Sequence, residues 1–173
     1  MHWTLPNILT VLRIFLIPCF VAIYYMPLEH AHLSAALVFV VAALTDLLDG
    51  WLARRLNQTS KLGAFLDPVA DKLMVAVVLV VLLEAHHSTW LVAPGAVIIG
   101  REIAVSALRE WMAEIGARRK VAVSVLGKVK TVLQMIALPL MVVSGADGVP
   151  EVIDLLGLVM LYAATLMTLW SMI

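Results

Sequence analysis

Apolar stretches of bilayer length recur along the whole chain, at 7–27, 31–55, 63–85, 89–115, 124–144 and 150–172. About 20 consecutive apolar residues in helical form cross the hydrocarbon core of a membrane. Within that core a helix satisfies its backbone hydrogen bonds internally, which a loop cannot do. Short connections with helix punctuation separate the stretches: Pro27, Gly116, and Gly145 with Gly148 and Pro150. The composition agrees, with 63% hydrophobic residues and a mean hydropathy of +1.02, above the range of soluble domains. The expectation is an all-α integral membrane protein. It forms one domain over residues 1–173, with six transmembrane helices around a polar cavity open to the cytoplasm.

The first apolar segment has no small-residue cleavage site after its core, so it reads as a retained helix, not a removed signal peptide. The apolar pattern still runs at Ile173, which raises the expectation of a short cytoplasmic tail beyond it. Cys19, the single cysteine, lies in the first helix; it allows no internal disulfide and suits a packing role. No low-complexity tract, linker or internal repeat interrupts the chain, and no nucleic-acid partner is expected.

Basic residues set the orientation. Arg54, Arg55 and Lys61 flank the second-to-third connection, and Arg118, Arg119 and Lys120 the fourth-to-fifth. The three opposite connections, around Glu29, His86 and Asp147, hold no Lys or Arg, an asymmetry that the net charge of zero conceals. By the positive-inside rule the basic connections and both termini face the cytoplasm. Trp90 near one face, with Trp3, Trp111 and Trp170 near the other, fits an aromatic belt, core packing being the alternative for each.

Against this background four carboxylates stand out. The chain reads Asp46-x-x-Asp49-Gly50-x-x-Ala53-Arg54, then eight residues, then Gly63-x-x-x-Asp67-x-x-x-Asp71. Residues three or four apart share a helix face, so each pair of aspartates presents its carboxylates together. Ionisable groups in membrane segments are costly and mark function. Like charges brought together repel unless cations lie among them, and carboxylate oxygens suit hard divalent ions such as Mg²⁺ or Mn²⁺. Gly50 and Ala53 form a small-residue side on which a bulky ligand can approach the backbone. Pro68 is tolerable near a helix start or at a kink. The bland alternative is a set of interhelical salt bridges to Arg54, Lys72 and Arg101, for which two facing same-sign pairs are a poor design.

With eight fixed positions matched, D-x2-D-G-x2-A-R-x8-G-x3-D-x3-D resembles the signature of the CDP-alcohol phosphotransferase family. Membership implies a six-helix integral membrane enzyme, commonly a homodimer, that moves a phosphatidyl or related group from a CDP-linked donor to an alcohol and releases CMP. Carried over by position, Asp46, Asp49, Asp67 and Asp71 resemble the metal cluster, with Asp71 as general base. Gly50, Ala53 and Arg54 resemble the part that receives the cytidine diphosphate, to which Asp46, Asp49, Asn7, Thr59 and Gly63 are added as donor-binding residues. Two Mg²⁺ or Mn²⁺ ions bridging the diphosphate oxygens suit this chemistry, since they neutralise the donor and stabilise the leaving CMP.

The acceptor is read from the remaining cations. Arg13, Lys72, Arg101, Arg109, Lys128 and Lys130 all fall in apolar helices, where lipid-exposed surface tolerates almost none. Their drift toward the cytoplasmic half implies anions, and a second basic cluster implies a phosphorylated acceptor. Arg101, Arg109, Lys128 and Lys130 are the candidates for its phosphate. In the bland reading Arg101 pairs with neighbouring acids and Arg109 with Glu102 or Glu110.

The resemblance also covers Thr4 to Arg13, Asn57 to Lys72, Arg101 to Glu114 and Gly127 to Thr131. There it is similar to bacterial family members whose acceptor is sn-glycerol 3-phosphate. That implies CDP-diacylglycerol as donor, phosphatidylglycerophosphate and CMP as products, membrane lipids as surroundings, and the bacterial inner membrane as location. Rivals are a family member using inositol phosphate or serine, and a transporter or ion channel. A transporter would be expected to place its acids near the midplane, in broken helices of two related halves. His30, His32, His86 and His87 all fall at the opposite end; they could gather around a transition metal, or be ordinary interfacial histidines.

Overall fold

The computed structural model describes residues 5–56, 61–115 and 125–170; the side chains of 5–7, 49–56, 61–65, 67, 68, 109, 113 and 125–128 are not described. Among the described residues there are six α-helices: α1 (Leu5–Tyr24), α2 (Ala31–Leu56), α3 (Lys61–His86), α4 (Thr89–Glu114), α5 (Val125–Ser144) and α6 (Glu151–Trp170). Their bounds fall within a few residues of the six apolar stretches. At 1.5 Å per residue the helices run about 30 to 39 Å, the thickness of a bilayer's hydrocarbon core or slightly more. Ala31–Leu48, Thr89–Met112 and Glu151–Trp170 are long and apolar enough by themselves to cross a membrane.

The distribution of apolar side chains is that of a protein with a hydrocarbon surround. Phe20, Phe39, Val78, Leu82, Ile98, Leu138, Met141 and Leu161 fill the interior. Yet Phe15, Leu37, Leu47 and Val152 are each about two-thirds exposed or more, and many other large apolar side chains stand outward beside them. Contiguous apolar surface on this scale is foreign to a soluble monomer and marks contact with lipid or a partner. Trp90, Trp111 and Trp170 are exposed, so these three are surface residues, as a belt requires. Cys19 is half-buried and free.

Short connections at residues 25–30, 87–88 and 145–150 turn each helix back on its predecessor. The two most extensive interfaces are α1 with α2 and α5 with α6; α2 also packs on α5, and α3 on α1, while α4 touches α3 and α6. The α5–α6 seam needs a glycine. A Cβ on Gly157 would stand 2.6 Å from Met141 Cγ and 3.3 Å from the Ala137 carbonyl oxygen. Small residues that let backbones approach are the usual glue of membrane helices, where hydrophobic burial gives little.

Pro18, Pro94 and Pro139 lie inside α1, α4 and α5. The backbone of α3 runs helically from Lys61 through Pro68. Proline removes one ladder hydrogen bond without ending a helix that neighbouring helices support.

Candidate active site

This up-and-down course brings the N-terminal ends of α1, α3 and α5 to the same end of the bundle as the C-terminal ends of α2, α4 and α6. Asn7, the Asp46–Arg54 stretch, the Gly63–Asp71 stretch, Arg109, Lys128 and Lys130 all lie toward that end, and Arg101 stands midway along α4. Asp49, Gly50, Ala53 and Arg54 continue the helix of α2 after Asp46, and Gly63 and Asp67 precede Asp71 on α3. For these residues, and for Asn7, Arg109 and Lys128, only the backbone position is described; Thr59 lies outside the described residues.

Asp46 and Asp71 do meet. Both line one small void, closed by Arg13, Phe39, Ala42, Met74 and Met135. Its volume is about 10 Å³, room for about one water molecule. Arg13 forms part of its wall. Its guanidinium NH1 donates to Asp46 Oδ1 at 2.5 Å, from a side chain only 2% exposed. A charge buried so deeply in an apolar helix is tolerated because it has a carboxylate partner. The sequence flags Arg13 as an unusual cation, but not its partner. The signal lay in the α1–α2 hairpin, which sets a residue near the start of one helix beside one near the end of the next.

Among the described residues no three His, Cys, Asp or Glu side chains gather closely enough to hold a metal ion. The histidines of the opposite end therefore form no such group: His86 instead binds the Leu82 carbonyl through Nδ1 at 3.1 Å and Asp154 Oδ1 through Nε2 at 3.2 Å. At the aspartate motif the donor chemistry does fit a hard divalent cation. Two carboxylates from different helices face one space, and Asp49 and Asp67 stand one helical turn from Asp46 and Asp71.

Of the second basic group, Arg101 and Lys130 have described side chains, and they meet on a carboxylate. Lys130 Nζ of α5 donates to Glu102 Oε1 of α4 at 2.5 Å, and Arg101 NH1 donates to the same oxygen at 3.2 Å. Ser106 Oγ donates to the Glu102 carbonyl oxygen at 2.5 Å, and Lys72 Nζ of α3 donates to Ser106 Oγ. Pairing with neighbouring acids is thus what Arg101 does here, and Lys130 joins it. Sequence reasoning offered Glu102 as a partner for Arg109 and missed its bond to Lys130, because a partner on another helix is not visible in sequence.

The profile of the CDP-alcohol phosphatidyltransferase family matches residues 3–170. The CDP-diacylglycerol–glycerol-3-phosphate 3-phosphatidyltransferases of Shigella flexneri serotype 5b (strain 8401) and Escherichia coli (strain K12) are each 48% identical to this chain over 174 aligned positions. Those alignments cover 100% of this chain and 93% of each relative. An intact eight-position motif, two of its carboxylates facing one void, and similarity along the full length agree: the chain belongs to the CDP-alcohol phosphatidyltransferase family.

Proposed function

We propose that this protein transfers the phosphatidyl group of CDP-diacylglycerol to sn-glycerol 3-phosphate, giving phosphatidylglycerophosphate and CMP. The observation that carries the reading is full-length similarity to enzymes named for this reaction, with every motif carboxylate retained. All six helices cross the bacterial inner membrane, with the basic end and its polar cavity facing the cytoplasm. The working unit is a homodimer in membrane lipid.

In the transfer, a hydroxyl oxygen of the acceptor bonds to the phosphatidyl phosphorus while the bond from that phosphorus to the CMP oxygen breaks. Asp71 takes the hydroxyl proton, as a carboxylate within reach of the attacking oxygen can. Asp46, Asp49, Asp67 and Asp71 would hold one or two Mg²⁺ or Mn²⁺ ions, whose positive charge neutralises the diphosphate and the leaving CMP. Asn7, Gly50, Ala53, Arg54, Thr59 and Gly63 receive the cytidine diphosphate. Arg13 keeps the Asp46 carboxylate in place from the α1 side. Arg101, Arg109, Lys128 and Lys130 bind the acceptor's phosphate and present its hydroxyl to the donor.

CMP release by the purified protein from CDP-diacylglycerol tests the reading, with glycerol 3-phosphate, inositol phosphate and serine supplied in turn. Release with glycerol 3-phosphate at least tenfold faster than with either rival supports it. Equal or greater release with a rival assigns a different acceptor.

A further inference from the structure

At the end of the bundle opposite to the aspartate motif, residues of α1, α2, α3, α5 and α6 line a cavity of about 740 Å³. Asp71 and His86 share α3 and stand roughly 22 Å apart along it, so this space is separate from the catalytic one. Its volume is within the range of small-molecule sites. Val152, Leu155 and Leu158 give it an apolar wall, and Tyr24, His32, His86, Ser144, Glu151 and Asp154 supply polar groups.

Several of these groups lack a partner within the chain. Tyr24 is only 5% exposed, and among the described residues its hydroxyl has no hydrogen-bond partner. Its ring meets that of His32 edge-on, with centroids 4.8 Å apart. Asp154 Oδ1 meets Ser144 Oγ at 2.9 Å and His86 Nε2 at 3.2 Å, which leaves Oδ2 without a described partner. Glu151 has no ion-pair partner among the described residues. Residues 14–53, 73–100 and 131–173 hold no Lys or Arg, so this end of the chain offers its carboxylates no permanent counter-charge. The positive-inside rule accounts for the missing cations. It does not account for carboxylates placed in a cavity beside a buried hydroxyl that nothing in the chain satisfies.

We propose that this cavity binds an organic ammonium ion. The nitrogen lies between Glu151 and Asp154 and donates to the Tyr24 hydroxyl, and its hydrocarbon rests on Val152, Leu155 and Leu158. A metal ion fits less well, since among the described residues no three His, Cys, Asp or Glu gather closely enough to hold one. An ammonium needs only one or two carboxylates, brings up to three N–H donors and is attracted to aromatic rings. An anion would be repelled, and a neutral ligand would leave both acids unmatched. The site plays no part in the transfer reaction and does not depend on which acceptor that reaction uses.

Isothermal titration calorimetry of the purified full chain in maltoside micelles, with hexylammonium as the probe, tests the proposal. One saturable site is expected, with hexanol binding roughly tenfold more weakly or worse. E151Q and D154N each weaken hexylammonium binding by roughly tenfold, and Y24F by about threefold, with helical content by circular dichroism unchanged. If D154N fails to fold, E151Q and Y24F carry the test, because Glu151 has no described bond to lose and phenylalanine keeps the ring. Absence of saturable binding, equal binding of hexanol, or wild-type affinity in both E151Q and Y24F overturns the proposal. Micelles doped with an ethanolamine-headgroup lipid separate two sources of the same chemistry. Hexylammonium binding weakened about threefold or more by that lipid supports the site and assigns it a lipid headgroup; unweakened binding supports the site and assigns it a soluble amine.

Discussion

Arg13 of α1 donates to Asp46 of α2 across 2.5 Å, so the first helix supplies a counter-charge to the first carboxylate of the aspartate motif. The pair closes the void that Asp71 shares, tying three helices to one charged point. Breaking one side of a buried pair strands the other charge, whereas removing both removes the problem. Arg13→Gln is therefore expected to destabilise the protein by roughly 1–3 kcal/mol, reduced from the fully buried case because Asp46 is partly exposed. The double variant Arg13→Gln/Asp46→Asn should lose less than the sum of the singles. Thermal unfolding in detergent checks this, and strict additivity would show that the two residues do not couple.

The α5–α6 seam gives a second expectation. Gly157→Ala forces Met141 aside, and Gly157→Leu drives α5 and α6 apart, since part of the contact is backbone that cannot yield. Overpacking of this kind costs about 1–3 kcal/mol, more for the larger side chain. Adding Met141→Ala to Gly157→Ala should recover much of the loss. A melting temperature unmoved by Gly157→Leu would mean the helices are not in contact there.

Much of this architecture was legible in the chain. The six apolar stretches became six helices because bilayer-length apolar segments have few other ways to satisfy their backbones, and Pro27, Gly145 and Pro150 stand at breaks the structure keeps. The meeting of Asp46 and Asp71 followed from helical spacing and short connections. Pairing across helices was not legible. Arg13 with Asp46, Lys130 with Glu102, and Tyr25 with Glu84 at 2.7 Å depend on which helix faces which, and at what height. Hydropathy carries almost no information about that. Gly157 was likewise silent, because only the neighbouring helix shows why a side chain is missing.

Topology can be tested on a background in which Cys19 is replaced by alanine. Lys61→Cys and Arg118→Cys should resist a membrane-impermeant thiol reagent in intact cells, and His87→Cys and Asp147→Cys should label. The reverse pattern would put the aspartate motif on the wrong side of the membrane for a cytoplasmic nucleotide donor.

The acceptor cations make a kinetic prediction. Neutral replacement of Arg101, Arg109 or Lys128 should cost on the order of tenfold to a hundredfold in kcat/KM for glycerol 3-phosphate, with CDP-diacylglycerol affinity little altered. Arg109→Lys should recover only part of this, since an ammonium lacks the guanidinium's fork. Initial rates varied in both substrates check it. Variants impaired for the donor alone would place these cations in the other pocket.

The aspartate motif as the catalytic centre is tested most directly by CMP release from CDP-diacylglycerol and glycerol 3-phosphate, measured side by side for the wild type and for Asp71→Asn. EDTA should abolish wild-type release, and added Mg²⁺ or Mn²⁺ should restore it. Asp71→Asn should run at least on the order of a hundredfold slower, with the fold intact by circular dichroism. Full activity in metal-free wild type, or in folded Asp71→Asn, would contradict the assignment of the centre.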